Sequence, residues 1–189
     1  MAPGTLARIL QVFCFVLGTT YSFISSASLG ISAGAGHGLS HITPFRLGIQ
    51  KTFSREIKSD YFWPIWGYWE GAFYSMNGKP CATKPGSNKH LDAMVAAGVI
   101  RFEKNDAILG VFPYVELGIG ISYITRQEIG GRDLGTPFLF EDRFGLGARF
   151  GENKQMDLTY RLVHFSNAYM GPCNHGINLH LIVLGYWFK

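Results

Sequence analysis

Hydrophobic positions along this chain recur with a period of two. Over 110–125, Val111, Val115, Leu117, Ile119, Ile121 and Tyr123 fall on one face, against Glu116, Gly118, Gly120 and Ser122 on the other. Over 136–150, Phe138, Phe140, Phe144, Leu146, Ala148 and Phe150 oppose Glu141, Arg143, Gly145, Gly147 and Arg149. Over 156–166, Leu158, Tyr160 and Leu162 oppose Asp157, Thr159 and Arg161. A strand sends successive side chains to opposite faces, so each segment predicts a strand with one greasy side and one side of glycines and charges. Weaker segments of the same kind are 28–36, 43–53, 64–75, 89–102 and 177–188, which makes eight in all.

Each segment reaches the roughly 9–11 residues that a tilted strand needs to cross a bilayer. A soluble sandwich or lipocalin-like barrel would also alternate, but it buries its greasy face and keeps charge outside. Here the aromatics are too many for one small core. Trp63, Trp66, Tyr68, Trp69 and Tyr74 crowd one segment and Tyr186-Trp187-Phe188 closes the chain, as interfacial girdles do. The expected fold class is therefore all-β: an eight-stranded antiparallel transmembrane β-barrel with aromatics toward lipid and charges in a narrow lumen. Arg46, Glu70, Glu116, Glu141, Arg149 and Arg161 would form a structural charge network there rather than a pore, because eight strands leave no channel. Longer outer loops fall near 37–42, 76–88, 126–135 and 167–176, and the opposite connections near 54–63, 103–109 and 151–155.

Ahead of the barrel, Arg8 is the only charge before Arg46, and Ile9–Gly18 is a short apolar run followed by Ser25-Ser26-Ala27. That pattern predicts a cleavable signal peptide over 1–27, with the barrel over 28–189. Composition agrees with a membrane barrel: 47% of the 189 residues are hydrophobic, 16% are charged and 24 are glycine. So many apolar residues exclude a disordered chain. A net charge of +4 without a basic cluster argues against a nucleic-acid partner. Of three cysteines, Cys14 lies in the signal, while Cys81 and Cys173 fall in outer loops. A disulfide across the barrel mouth and two free thiols are both open.

Candidate chemistry gathers at the end of segment seven. His164 and Ser166 share the face of Leu158, Tyr160 and Leu162, so an imidazole and a hydroxyl look toward lipid near the outer rim. Polar groups against acyl chains are costly unless satisfied. A His beside a Ser is the base–nucleophile pair of ester hydrolysis, although interfacial side chains touching headgroups would look the same at this spacing. His164, Cys173, His175 and His180 match no standard zinc-ligand spacing. No metal and no cofactor are expected. Lys79, Lys84, Lys89, Arg126 and Arg132 are loop cations that either meet lipid phosphates or are simply solvated.

The run His164-Phe165-Ser166-Asn167-Ala168, with Pro172-Cys173-Asn174-His175-Gly176-Ile177, resembles the lipid A 3-O-deacylase family of outer-membrane barrels. So do Phe140-Glu141-Asp142-Arg143-Phe144-Gly145-Leu146-Gly147 and, more loosely, Tyr68-Trp69-Glu70-Gly71. The resemblance implies an outer-membrane esterase acting on the 3-linked acyl chain of lipid A in lipopolysaccharide. Its partners would be that substrate and the surrounding membrane lipids, with a homodimer left open. It maps the base onto His164, the nucleophile onto Ser166 and an oxyanion role onto Asn167. The family's orienting Glu falls at Asn178, and a family Gly after Ala168 is Tyr169 here. Asn can hold an imidazole tautomer but cannot neutralise imidazolium.

Hairpin geometry offers a substitute acid. A turn centred near Asn153 puts Asp142 opposite His164, and a turn centred near Pro172 puts Asn178 opposite Ser166. The expected line Asp142–His164–Ser166–Asn178 then runs across three strands within cross-strand reach. The competing expectation for Asp142 is an interior ion pair with Arg143 or Arg149. A non-catalytic structural or adhesin-like barrel is the alternative for the whole chain.

Overall fold

The computed structural model describes residues 28–39, 41–53, 63–79 and 87–188. The expected signal peptide, Cys81, Lys84 and most of the 54–63 connection lie outside them. Ten strands occur among the described residues: β1 (Leu29–Gly38), β2 (Ile42–Thr52), β3 (Ile65–Gly78), β4 (His90–Glu103), β5 (Phe112–Ile124), β6 (Glu128–Ile129), β7 (Arg132–Asp133), β8 (Phe138–Phe150), β9 (Met156–Ser166) and β10 (Ile177–Trp187). Eight of them close into a barrel in the order β1-β10-β9-β8-β5-β4-β3-β2, every neighbour antiparallel. Closure leaves no unpaired edge, which a strand in lipid requires. The eight expected strands are all present, β9 with the expected bounds, and β3 runs three residues further than expected.

The unexpected element is the small hairpin β6–β7 inside the 126–135 loop. Gly130 and Gly131 turn it at φ 57° and 84°, the two consecutive positive φ values of a tight hairpin turn.

Alternation sorts the side chains as the pattern requires. Ile49, Ile119, Ile121 and Phe138 are among the most exposed apolar side chains, and they face outward. Inside, charges occupy one storey. Arg46 meets Glu70 at 2.7 Å, Arg101 meets Glu116 and Asp157 at 2.9 Å each, and Arg161 meets Glu116 at 2.7 Å. Arg143 joins Glu70 to Glu141. Glycines make room for this network. A Cβ at Gly145 would stand 2.6 Å from Glu116 Cγ, and one at Gly118 would stand 2.8 Å from Arg143 Cγ. Arg149, expected in the lumen, is half-buried and pairs with Glu103 at 3.3 Å.

The aromatic reading needs correction in part. Trp69 and Tyr186 face outward, but Tyr68, Tyr74 and Trp187 are buried inside and Trp66 is half-buried. They point in because they share a face with the lumen charges, where Arg101 lies over the rings of Tyr114 (4.2 Å), Tyr68 (5.0 Å) and Trp66 (5.2 Å). Guanidinium–ring contacts of this kind stabilise a desolvated charge.

The second interior storey is apolar. Ile42, Tyr74, Met76, Leu91, Leu139, Val163, Phe165, Ile177 and Leu179 pack there, with the Tyr74 and Phe165 rings edge-on at 5.3 Å. Val163 and Phe165 alternate with His164 and Ser166 on β9. The outward pair therefore stands on a strand whose other face is locked into a close-packed core.

Candidate active site

Cross-strand registers arrange the outward face of β8, β9 and β10 in rows. Phe140 opposes Ser166; below them Asp142 opposes His164, which in turn opposes Asn178; below those Phe144, Leu162 and His180 align. The expected pairing of Asp142 with His164 holds. Asn178 stands opposite His164 and not opposite Ser166, because the opposed pairs of β9 and β10 centre on Gly171 rather than Pro172. The three-residue row is therefore Asp142–His164–Asn178.

His164 Nδ1 lies 2.6 Å from Asn178 Oδ1. A carbonyl oxygen only accepts, so this bond places the proton on Nδ1 and leaves the Nε2 lone pair free to act as base. Gly176 supports the arrangement. It sits at φ 58°, and a Cβ there would come 3.1 Å from His164 Cε1, so only glycine gives both the turn and the clearance. Ser166 ends β9, half-buried on the same face, its Cα about 7 Å from that of His164 at ordinary strand rise. Its Oγ makes no hydrogen bond among the described residues. The serine hydroxyl and the imidazole are adjacent but unbonded, as such pairs often are before a substrate binds.

Asp142 is exposed on the outer wall, on the opposite face from Glu141 and Arg143. Alternation thus excludes the interior ion pair with Arg143 or Arg149. Its carboxylate makes no ion pair or hydrogen bond among the described residues, so it neighbours the imidazole without bonding to it.

Asn167 departs most from expectation. Its side chain is fully buried. The amide Nδ2 donates to Leu134 O (2.9 Å) and Cys173 O (2.7 Å), and its backbone N–H donates to Asn174 Oδ1 (3.0 Å). These bonds latch the end of β9 to the loops on either side, so the amide is not presented to a substrate. The cause is again alternation, since Asn167 continues the inward row of Val163 and Phe165.

The turn that follows supplies other donors. Ala168 and Tyr169 adopt φ 50° and 61°, and Met170 N–H donates to Asn167 O at 2.9 Å. The backbone N–H groups of Ala168 and Tyr169 make no hydrogen bond among the described residues. Across the site Arg132, one of the loop cations expected either to meet lipid phosphates or to be solvated, donates to the carbonyls of His175 and Gly176 and ties the β6–β7 hairpin to the 167–176 loop. Lys79, Lys89 and Arg126 remain exposed.

A groove of about 480 Å³ runs from the Asp142–His164–Asn178 row and Leu39 down to Phe144, Leu162 and His180, all of which line it. His180 also belongs to a cluster the sequence reading missed. Its ring stacks on His37 of β1 at 5.1 Å and its Nδ1 lies 2.7 Å from Tyr160 Oη. Of the four residues weighed for zinc, the three histidines have other partners. His164 bonds Asn178, His175 Nδ1 accepts from the Asp133 N–H, and His180 bonds Tyr160.

A family profile described as lipid A 3-O-deacylase (PagL) matches residues 43–187. The chain belongs to this family. The lipid A deacylase PagL of Pseudomonas aeruginosa is 27% identical over 154 residues, covering 81% of this chain and 83% of the relative. The lipid A deacylase PagL of Bordetella bronchiseptica is 31% identical over 75 residues, covering 40% and 41%. Among solved structures, that of the outer membrane enzyme PagL superposes with a TM-score of 0.73 at 22% identity, over 83% of this chain and 98% of that one. The N-terminal barrel of Pseudomonas aeruginosa OprF reaches 0.52 at 13% identity, a likeness of fold alone.

Proposed function

We propose that this chain is an outer-membrane ester hydrolase that removes the acyl chain ester-linked at the 3 position of lipid A, with Ser166 as nucleophile and His164 as base. Family membership supports the reaction class. The observation that carries the residue assignment is the 2.6 Å His164–Asn178 bond beside a serine on the same outward face.

In this reading substrate entry brings Ser166 Oγ toward His164 Nε2 by rotation about χ1. Nε2 takes the hydroxyl proton as Oγ attacks the ester carbonyl. The developing oxyanion meets the free N–H groups of Ala168 and Tyr169. Collapse breaks the ester C–O bond, and the imidazolium returns its proton to the departing sugar oxygen. Water, deprotonated by the same Nε2, then attacks the acyl-serine and releases a fatty acid and the regenerated hydroxyl. Asn178 holds the tautomer throughout. Asp142 supplies, from one strand away, the negative charge that an amide lacks when imidazolium forms.

An outward site near the rim suits a substrate whose acyl chains already lie beside the wall. Every group named comes from one chain, so a homodimer is not required to assemble the site. Residues 1–27 act as the secretion signal, which N-terminal sequencing of the membrane-inserted protein checks. Mass spectrometry of lipid A decides the function. Cells expressing the chain should lose one hydroxy-acyl mass, and Ser166→Ala should abolish that loss by about a thousandfold or more. Unchanged lipid A with the unaltered chain would leave the non-catalytic barrel as the reading.

A further inference from the structure

Below the catalytic row the outer wall divides in two. On β8 and β9 it is apolar, with Phe144 and Leu162 side by side. On β10 and β1 the row level with Leu162 is polar, because His180 and His37 are direct cross-strand partners with rings parallel within 4°, before Ile182 and Ala35 resume the apolar wall. Tyr160, one step further along β9, turns its hydroxyl to His180 Nδ1. That bond leaves Nε2 as the remaining polar atom of the His180 ring. Among the described residues neither this Nε2 nor either nitrogen of His37 makes a hydrogen bond.

Imidazole nitrogens without a protein partner on an outward wall depend on water or a lipid headgroup for their hydrogen bonds, and hydrocarbon cannot replace either. The position of the two histidines relative to the nucleophile is what makes them informative. Leu162 and its partner His180 lie four positions along the strand from Ser166, about 13 Å at ordinary strand rise, room for an extended chain of roughly ten carbons.

We propose that the His180–Tyr160–His37 cluster sets the length of the acyl chain that the site cleaves, acting as a polar stop at the far end of the apolar groove. The inference rests on the deacylase reading above and names a specificity determinant within it. A chain that ends at Leu162 buries its methylenes against Phe144 and Leu162 and gains their contact. A longer chain must either bend away into the bilayer, losing contact, or lie across the imidazoles. In the second case it strips water from nitrogens that it cannot hydrogen-bond, at a cost of about tenfold in affinity per nitrogen covered. Tyr160 is a positioning residue: it acts on the chain through His180, by satisfying one nitrogen and fixing the ring.

The test uses the full-length chain in lipid–detergent micelles with two lipid A substrates differing only in the 3-linked acyl chain, about ten and about sixteen carbons long. Released fatty acids are measured by mass spectrometry, and the readout is the ratio of kcat/KM for the two lengths. The wild-type chain should favour the shorter by about tenfold, and His180→Leu should bring the ratio to within about twofold of unity. Tyr160→Phe should move the ratio the other way, because it leaves a second ring nitrogen without a partner. If His180→Leu fails to fold, His37→Leu on the neighbouring strand should shift the ratio in the same direction as the leucine at 180. A merely structural role would scale both rates together and leave the ratio unmoved. A wild-type ratio near unity, or an unchanged ratio in the leucine variants, overturns the proposal. Release of neither acid by the wild-type chain, equal to a Ser166→Ala control, overturns the deacylase reading and the stop with it.

Discussion

The barrel holds two populations of polar groups, and they are treated differently. In the lumen, Arg46, Arg101, Arg143 and Arg161 each face a carboxylate within 2.9 Å. On the outer wall, Asp142, Ser166 and His37 have no hydrogen bond among the described residues, and His164 has one. The lumen groups are where burial is deepest and pairing is required for the fold to exist. The outer groups are where lipid should have selected hydrocarbon, yet they are kept with free valences. The lumen charges are paired with one another, and in the function proposed above the outer groups are the ones that a substrate completes.

That contrast predicts a clean separation of effects. The largest is expected inside. Glu116 accepts from Arg101, Arg161 and the hydroxyl of Tyr68 (3.0 Å). Glu116→Gln removes the charge that two buried guanidiniums share, and breaking such a pair costs about 3–5 kcal/mol. Denaturant unfolding of the barrel in lipid vesicles should show that loss, while the fraction still folded cleaves lipid A at an undiminished rate per molecule. A loss under about 1 kcal/mol would mean the lumen charges do not hold the barrel together.

The next effect is expected outside and with the opposite signature. Asn178→Ala leaves the imidazole free to take either tautomer and should lower kcat by about a hundredfold with little change in unfolding. Asn178→Glu places a carboxylate where the family's acid falls and should restore kcat to the wild-type level or above, since it can also neutralise imidazolium. Adding Asp142→Asn sharpens the point. It should slow the wild-type background several-fold and the Asn178→Glu background hardly at all, because the second carboxylate makes the first redundant. Equal effects in both backgrounds would remove Asp142 from the chemistry.

How these two populations could be told apart in the sequence depends on the length of each turn. The β8–β9 connection is short, so its centre near Asn153 fixed the pairing of Asp142 with His164. The β9–β10 connection is ten residues long, and the αL residues Ala168 and Tyr169 together with the Asn167 latch set its centre. None of those is visible as periodicity, so Asn178 was expected one pair too far along. Asn167 is a different case. Continuing the inward row Val163, Phe165 by two more residues places it inside, so its burial was legible and the family likeness pulled the reading toward an oxyanion role. His37 was missed because it sits at the junction of the expected strand and loop, and its stacking on His180 depends on a β1–β10 pairing between opposite ends of the chain. Contacts that close a barrel leave no local trace.

The smallest expected effect concerns the backbone beside the site. Tyr169 holds φ 61° where the family pattern has glycine, and its side chain is 87% exposed, so no packing compensates the strain. An L-residue in this region costs about 1–2 kcal/mol relative to glycine. Glycine gives back part of that by loosening the unfolded chain, about 0.4–1 kcal/mol. The balance makes Tyr169→Gly stabilising by roughly 0.5 kcal/mol, the reverse of the usual sign for a substitution to glycine. Differential unfolding in vesicles measures it. A destabilising result would show that the tyrosine ring gains something at the membrane surface that exceeds its strain. The outer patch would then be held by its lipid contacts as firmly as the lumen is held by its ion pairs.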